Sequence, residues 1–226
     1  MTMRTTLGGT LRALWHARSG VAYIEFAYTF PVVLAMGTYG IEATNLAMAH
    51  TQISQVAMSL ADNTSRIGQD SALSTTQFRE ADVNDSFGAS VLQAGRFKIA
   101  TRGRIILSSL EQNASGGQWI HWQRCTGALA ISSSYGVQGT GKTGTAFLGM
   151  GPTGNRIQAP ANNAVMFVEV FYNYEPVIST SLFGTPQLHY TAAFVVRDER
   201  DLTGPKEGSD YVGIYNPAPA AAKKTC

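Results

Sequence analysis

Between Val21 and Ile41 the chain carries a single charged side chain, Glu25, in 21 positions. A helix of that length rises about 30 Å, the thickness of a bilayer's hydrocarbon core. The segment is apolar all round, the pattern of a membrane-spanning or bundle helix rather than of a surface helix. From Leu46 the pattern changes. Leu46, Ala49, Ile53, Val56, Leu60 and Ile67 recur at spacings of three and four, with a polar gap at Asn63, which marks one buried helical face. Gly68 follows as a stop signal. The spacing predicts one helix over 21–67, about 70 Å long. Pro31 lies inside it and predicts a kink, since proline lacks the N–H and crowds the preceding turn.

Beyond Gly68 the periodicity shortens. Ser74 is placed to N-cap a second helix over 75–94, irregular near Gly88. Runs rich in Val, Ile, Phe and Tyr then follow over 97–110, 118–123, 128–133, 165–174 and 188–197, separated by Gly, Asn and Pro clusters. An antiparallel sheet of four or five strands against residues 46–67 is the simplest way to bury both apolar surfaces. The predicted class is therefore α+β, a long N-terminal helix with a membrane half and an amphipathic half packed on an antiparallel sheet. The boundaries read as a leader 1–20, the helix 21–67, an extracytoplasmic domain 68–215 and a tail 216–226, Pro/Ala-rich and read as an unstructured strap.

Charge adds direction. The first 20 residues hold Arg4, Arg12 and Arg18 and no acid, while Glu42 and Asp62 follow the apolar run. Positive charge stays inside, so the N-terminus is expected in the cytoplasm and the rest outside. The apolar run comes after the basic stretch and after Gly20, not before a small-residue cleavage site, which is unlike an ordinary secretory signal. A net charge of +2 with scattered basic residues gives no footprint for nucleic acid. The two cysteines, Cys125 and Cys226, are either a bridge, permitted outside the cytoplasm, or two separate thiols. A bridge would close a loop of about 100 residues, for which chain entropy gives about 4.7 kcal/mol.

Glu25 is the informative residue. A carboxylate costs about 2.5–3.5 kcal/mol at the centre of a membrane helix and less near its end. It stands fifth in a run that begins at Val21, directly after Gly20 and a basic leader. Cleavage between Gly20 and Val21 would create an α-amino cation, and Glu25 of one subunit pairing with that amine on a neighbour would neutralise both charges and fix axial register. The segment Gly20-Val21-Ala22-Tyr23-Ile24-Glu25-Phe26-Ala27, followed by Pro31, resembles the opening of the TadE-like minor pilins of tight-adherence (Tad, Flp-type) pilus systems. Trp122–Gly127 and Val168–Pro176 resemble later segments of its larger members. The resemblance implies a pilin-like fold and a pseudopilin of the bacterial inner membrane, single-pass with a periplasmic domain and able to enter an extracellular pilus. It implies maturation by a prepilin peptidase and partnership with other pilins, with Glu25, Phe26 and Pro31 in assembly. No cofactor, nucleotide or enzymatic activity is expected, since the residues offer no catalytic or metal motif and the P-loop letters at 136–143 lack their helix.

Other motifs carry less. Residues 136–143, Gly-Val-Gln-Gly-Thr-Gly-Lys-Thr, match the phosphate-binding P-loop in letters, yet the glycine- and proline-rich stretch after them is a poor helix, and the loop needs one. His16, His50, His121 and His189 have no metal-ligand spacing, and His121 is expected to alternate with Trp119 and Trp122 on a strand. Residues 197–201 read as a solvated, mixed-charge strand end. The competing reading is an uncleaved single-pass anchor carrying a periplasmic binding or adhesion domain.

Overall fold

The computed structural model describes residue 15 and residues 19–68, 75–208 and 210–226. Most of the leader and the predicted cap Ser74 thus lie outside the described residues. The chain divides into two compact units, Met1–Asn45 and Leu46–Cys226. Helix α1, Ser19–Thr64, is continuous through Pro31 and contributes to both. The protein is α+β, with α1 followed by a four-stranded antiparallel sheet.

The second unit, the head, is built on the predicted stripe. Ala49, Ile53, Val56 and Leu60 are buried, joined by Ala57 and Ala61. They pack with Phe78, Val83 and Phe87 and with one face of the sheet, through Ile105, Leu107, Trp122, Met166, Val168 and Val170. Full burial of each Ile, Val or Leu is worth about 1.5–3 kcal/mol. Ile67 is not part of this face. It lies beyond the helix and is 38% exposed.

The helix ends at Thr64, and Gly68 is not what stops it. Ser65 and Ile67 donate back to the carbonyls of Ala61 and Asn63. The Ser65 hydroxyl donates to the Asp62 carbonyl, and Arg200 Nη1 reaches the Thr64 carbonyl at 3.0 Å while its Nη2 reaches that of Ile67, beyond the helix, at 2.8 Å. In the run 197–201 after β4, Arg197 and Glu199 are exposed as a solvated strand end would be, but Arg200 is buried over the Phe78 ring, 4.5 Å from its centroid. A guanidinium at helix carbonyls suits both the orphan acceptors and the helix dipole.

Helix α2 spans Glu80–Ala94, starting later than predicted. Its first turn is fixed by Asp82, which accepts from the Arg79 backbone N–H at 2.8 Å. Gly88 does not interrupt it, and a side chain there would meet open space. After a 3-10 turn, Gly95–Phe97, comes the short helix α3, Ile99–Arg102. The predicted strand 97–110 therefore begins only at Gly103. Phe97 and Ile99 have strand-like apolarity but reach the core from helical turns on either side of Lys98, whose φ is +47°.

The sheet comprises β1 Gly103–Gln112, β2 Gln118–Thr126, β3 Val165–Asn173 and β4 Gln187–Val195, in the order β2-β1-β3-β4. A short helix α4, Thr180–Phe183, lies between β3 and β4. Two-residue strands β5, Lys206–Glu207, and β6, Asp210–Tyr211, form a separate hairpin. Register shifts between Ser109 and Leu110 opposite β2, so that Ser109 faces Trp122 while Leu110 faces Ile120. His121 is the extra, bulged residue, and it stacks on Trp119, two positions before it, at 4.2 Å between centroids.

Residues 128–133 are not a strand. β1 already has neighbours on both sides, and the outer edge of β2 is occupied by residues 139–140 and Lys224. The chain instead turns at Gly127, whose φ is +102° and where a Cβ would lie 2.3 Å from the Gly103 carbonyl oxygen. Residues 127–164 then cover the second face of the sheet. Tyr135, Phe147, Met150 and Ala159 pack on Leu110, Ile120, Val165 and Phe167, and Ile131 packs beside Ile106 and Phe171. Glu169, fully buried in β3, accepts from the Ser134 N–H at 3.0 Å and from the Ser133 hydroxyl, pinning this cover.

The tail has no helix or strand, but it is held. Cys125 and Cys226 form a disulfide, with 5.0 Å between Cα atoms across a separation of 101 residues. The Cys125 N–H donates to the Lys224 carbonyl, and Asn84 Nδ2 to that of Ala222. Replacing Cys226 by serine is expected to lower the unfolding free energy of the purified protein by about 2–4 kcal/mol. Denaturant titration under non-reducing conditions checks this, with wild type in reductant falling to the same value.

Candidate functional site

Residues 20–41 of α1 present an apolar surface to their surroundings on every side. Val21, Tyr23, Ile24, Phe26, Tyr28, Val32, Val33, Leu34, Met36, Tyr39 and Ile41 are all more than half exposed. By length and composition the helix is able to cross a membrane, and its most apolar window is unburied. An apolar surface of this extent on a folded chain calls for lipid or other helices.

Within that surface the sequence-predicted residues lie close together. Phe26 stacks on Phe30, with centroids 5.0 Å apart, one turn before Pro31. Thr29 donates its hydroxyl to the Glu25 carbonyl at 2.8 Å, and Pro31 leaves the Ala27 carbonyl without its usual N–H partner. The Glu25 side chain is exposed and meets no cation among the described residues. Gly20 has no structural reason to be glycine. A Cβ there would meet nothing within 4 Å, and its φ is not left-handed.

The head contains polar clusters that no spacing in the sequence announces. Arg124 of β2 makes a bidentate pair with Glu80 at the start of α2, both buried, with Nε 3.0 and 2.9 Å from the two carboxylate oxygens. At the far end of β1, Glu111 accepts from Ser109 Oγ at 2.7 Å and from His121 Nδ1 at 2.8 Å, while His121 Nε2 lies 3.0 Å from the Tyr211 carbonyl. Both ring nitrogens face acceptors, an arrangement that favours the protonated imidazolium, in which both donate. Burial acts to lower the His121 pKa. The hydrogen bond and charge of Glu111, with the Tyr211 carbonyl, outweigh it and raise the value above that of an ordinary histidine. Ser109 donates to the glutamate and not to the imidazole, so the trio is not an activated nucleophile. Nearby, Tyr215 donates to Asp201, and burial together with that bond pushes its phenol up to about 12.

The segment 136–143 lies alongside this cluster. Residues 142–149 form turns and irregular chain, with no helix to hold a phosphate. Its backbone is engaged elsewhere. Gly139 N–H donates to the Ile120 carbonyl, Ile120 N–H donates to that of Thr140, and Asn113 Nδ2 binds the carbonyls of Gly141 and Gly144. Gly141 is required because a Cβ would sit 2.3 Å from the Gln118 carbonyl oxygen. Lys142 pairs with Asp210 at 2.6 Å. The P-loop letters thus spell a strap that closes the edge of β2.

A raised histidine pKa stabilises the fold fully below the unfolded value near 6.5, and that stabilisation is lost as pH rises through the folded value. Wild type is therefore expected to lose stability between pH 6 and pH 9 by more than the His121→Gln variant does. Denaturation midpoints measured across that range check it.

No protein-family model matches the chain, and no curated protein or solved structure matches it either.

Proposed function

We propose that this chain is a minor pilin-like subunit of a Tad-type pilus system, matured by a prepilin peptidase between Gly20 and Val21 and assembled through α1. The observation that carries the reading is the exposed apolar half of α1 with one carboxylate, five residues after Gly20, that meets no cation among the described residues. The resemblance of Gly20–Ala27 and Pro31 to the TadE-like opening supplies the class of partner. The Val21 amine of a neighbouring subunit would supply the cation that Glu25 does not meet among the described residues, and an apolar bundle favours such a pairing as a way to set register. A substantial disulfide-clamped head suits a minor subunit more than the bulk pilin. In this reading the protein is a structural subunit, anchored in the inner membrane with its head in the periplasm, and its partners are the peptidase and other pilins.

One feature of α1 favours a second reading. The helix already includes Ser19 and Gly20, as an uncleaved signal anchor would. The protein would then be a tethered periplasmic binding or adhesion domain.

The mature N-terminus separates the two. Intact-mass analysis of protein from cells containing the peptidase is expected to show Val21 as the first residue. Retention of residue 1 would establish the anchor reading instead. Glu25→Ala is expected to insert into the membrane normally yet be absent from sheared pili.

A further inference from the structure

The two edges of the sheet are treated differently. Beyond β2, the Ile120 N–H and C=O, the Gln123 N–H and the Cys125 N–H bond to Thr140, Gly139, Gln138 and Lys224, and the disulfide holds the last of these in place. Beyond β4 no such cover is present among the described residues. Val196 N–H donates to the Ala164 carbonyl and Tyr174 N–H to that of Pro186, so the pairs 164/196 and 174/186 are hydrogen-bonded ones. The unbroken register between them then makes 166/194, 168/192, 170/190 and 172/188 hydrogen-bonded as well. Gln187, His189, Thr191, Ala193 and Val195 therefore turn their N–H and C=O groups outward. No backbone partner meets these groups among the described residues.

A finished edge is normally blunted by lysine, proline, a bulge or short length. β4 has none of these. It is nine residues long, QLHYTAAFV, without Lys, Arg, Asp, Glu or Pro and without a register shift. On the helix-covered face its Tyr190, Ala192 and Phe194 are only partly buried, leaving the apolar core open at this side.

We propose that the outer edge of β4 receives an extended strand from another subunit, which continues the sheet and closes the core over Tyr190 and Phe194. The partner segment is uncharged, with apolar side chains at alternate positions on the face shared with α1. A second copy of β4 is complementary in one register. About a dyad at Thr191, Thr191 meets Thr191, His189 meets Ala193, Tyr190 meets Ala192 and Leu188 meets Phe194, with no like charges opposed. That pairing is antiparallel, however. Residues 46–64 run alongside β4 in the same direction, with His50 bonded to Tyr190 at 2.7 Å and the Ser65 carbonyl to Arg197 N–H. Dyad pairing would set these helical segments of two copies antiparallel, whereas chains inserted in one membrane with the same topology enter them from the same side. The choice of a different subunit over a second copy rests on the membrane-anchored reading, while the openness of the edge does not.

A free peptide is not bound by topology, so a synthetic peptide of residues 187–195 serves as the probe against the full-length protein in detergent. Binding is expected by fluorescence anisotropy. It is expected to fall about tenfold or more with Thr191→Pro, which removes an outward N–H without breaking the β3 ladder. A peptide N-methylated at positions 189, 191 and 193 is expected to fail, and one N-methylated at 188, 190 and 192 to bind. The matched peptides keep the test sound if Thr191→Pro unfolds. No binding to wild type, or equal binding of the two methylated peptides, overturns the strand-addition site. A Thr191→Cys chain that crosslinks to itself in native membranes overturns the choice of a different subunit and makes the second copy the occupant.

Discussion

The head depends on one apolar contact, the burial of Ala49, Ile53, Val56, Ala57, Leu60 and Ala61 of α1 against the sheet. Without that stripe the inner face of β1, β3 and β4 would stand in water. The small residues are as important as the large ones. Ala49, Ala57 and Ala61 are buried in the same cluster as Ile53, Val56 and Leu60. One helix therefore does two kinds of work, with its trailing half forming the core of a domain and its leading half offering an apolar surface that the described chain leaves uncovered.

Buried charge organises the rest around that contact. Arg200 binds the last carbonyl of α1 and that of Ile67 just beyond it, Arg124 and Glu80 fix α2 to β2, and Glu169 fastens the irregular cover to the second face. Such pairs add little net stability over apolar packing, but each leaves a costly orphan if its partner is displaced, so together they select one arrangement of the parts. The disulfide acts in the same sense on the tail, laying it along the edge of β2.

Periodicity made the helix and most of the sheet legible, because spacing of three and four and runs of β-branched residues follow directly from burial on one face or between strands. It misled at Phe97, Ile99 and 128–133, where apolar residues reach the core from helical turns or loops, a case that composition cannot separate from a strand. The stop at Thr64 was not readable from Gly68, because the capping group, Arg200, arrives from more than a hundred residues away. For the same reason the Glu80–Arg124 and Glu111–His121 pairs left no trace in local spacing. Glu25 was legible because its environment is local, a lone acid in an apolar run. The disulfide was legible only as an option, which proximity in the fold then realised.

The division of α1 into an exposed apolar half proposed to face lipid and a core half is tested most directly by amide hydrogen exchange on the full-length protein in lipid nanodiscs. The account predicts that amides at 49–61 are protected to the level of global unfolding, in lipid or out of it. It predicts that amides at 22–41 are protected only while the bilayer is present. Rapid exchange at 22–41 inside an intact nanodisc, or protection there that survives removal of lipid and detergent, would contradict it.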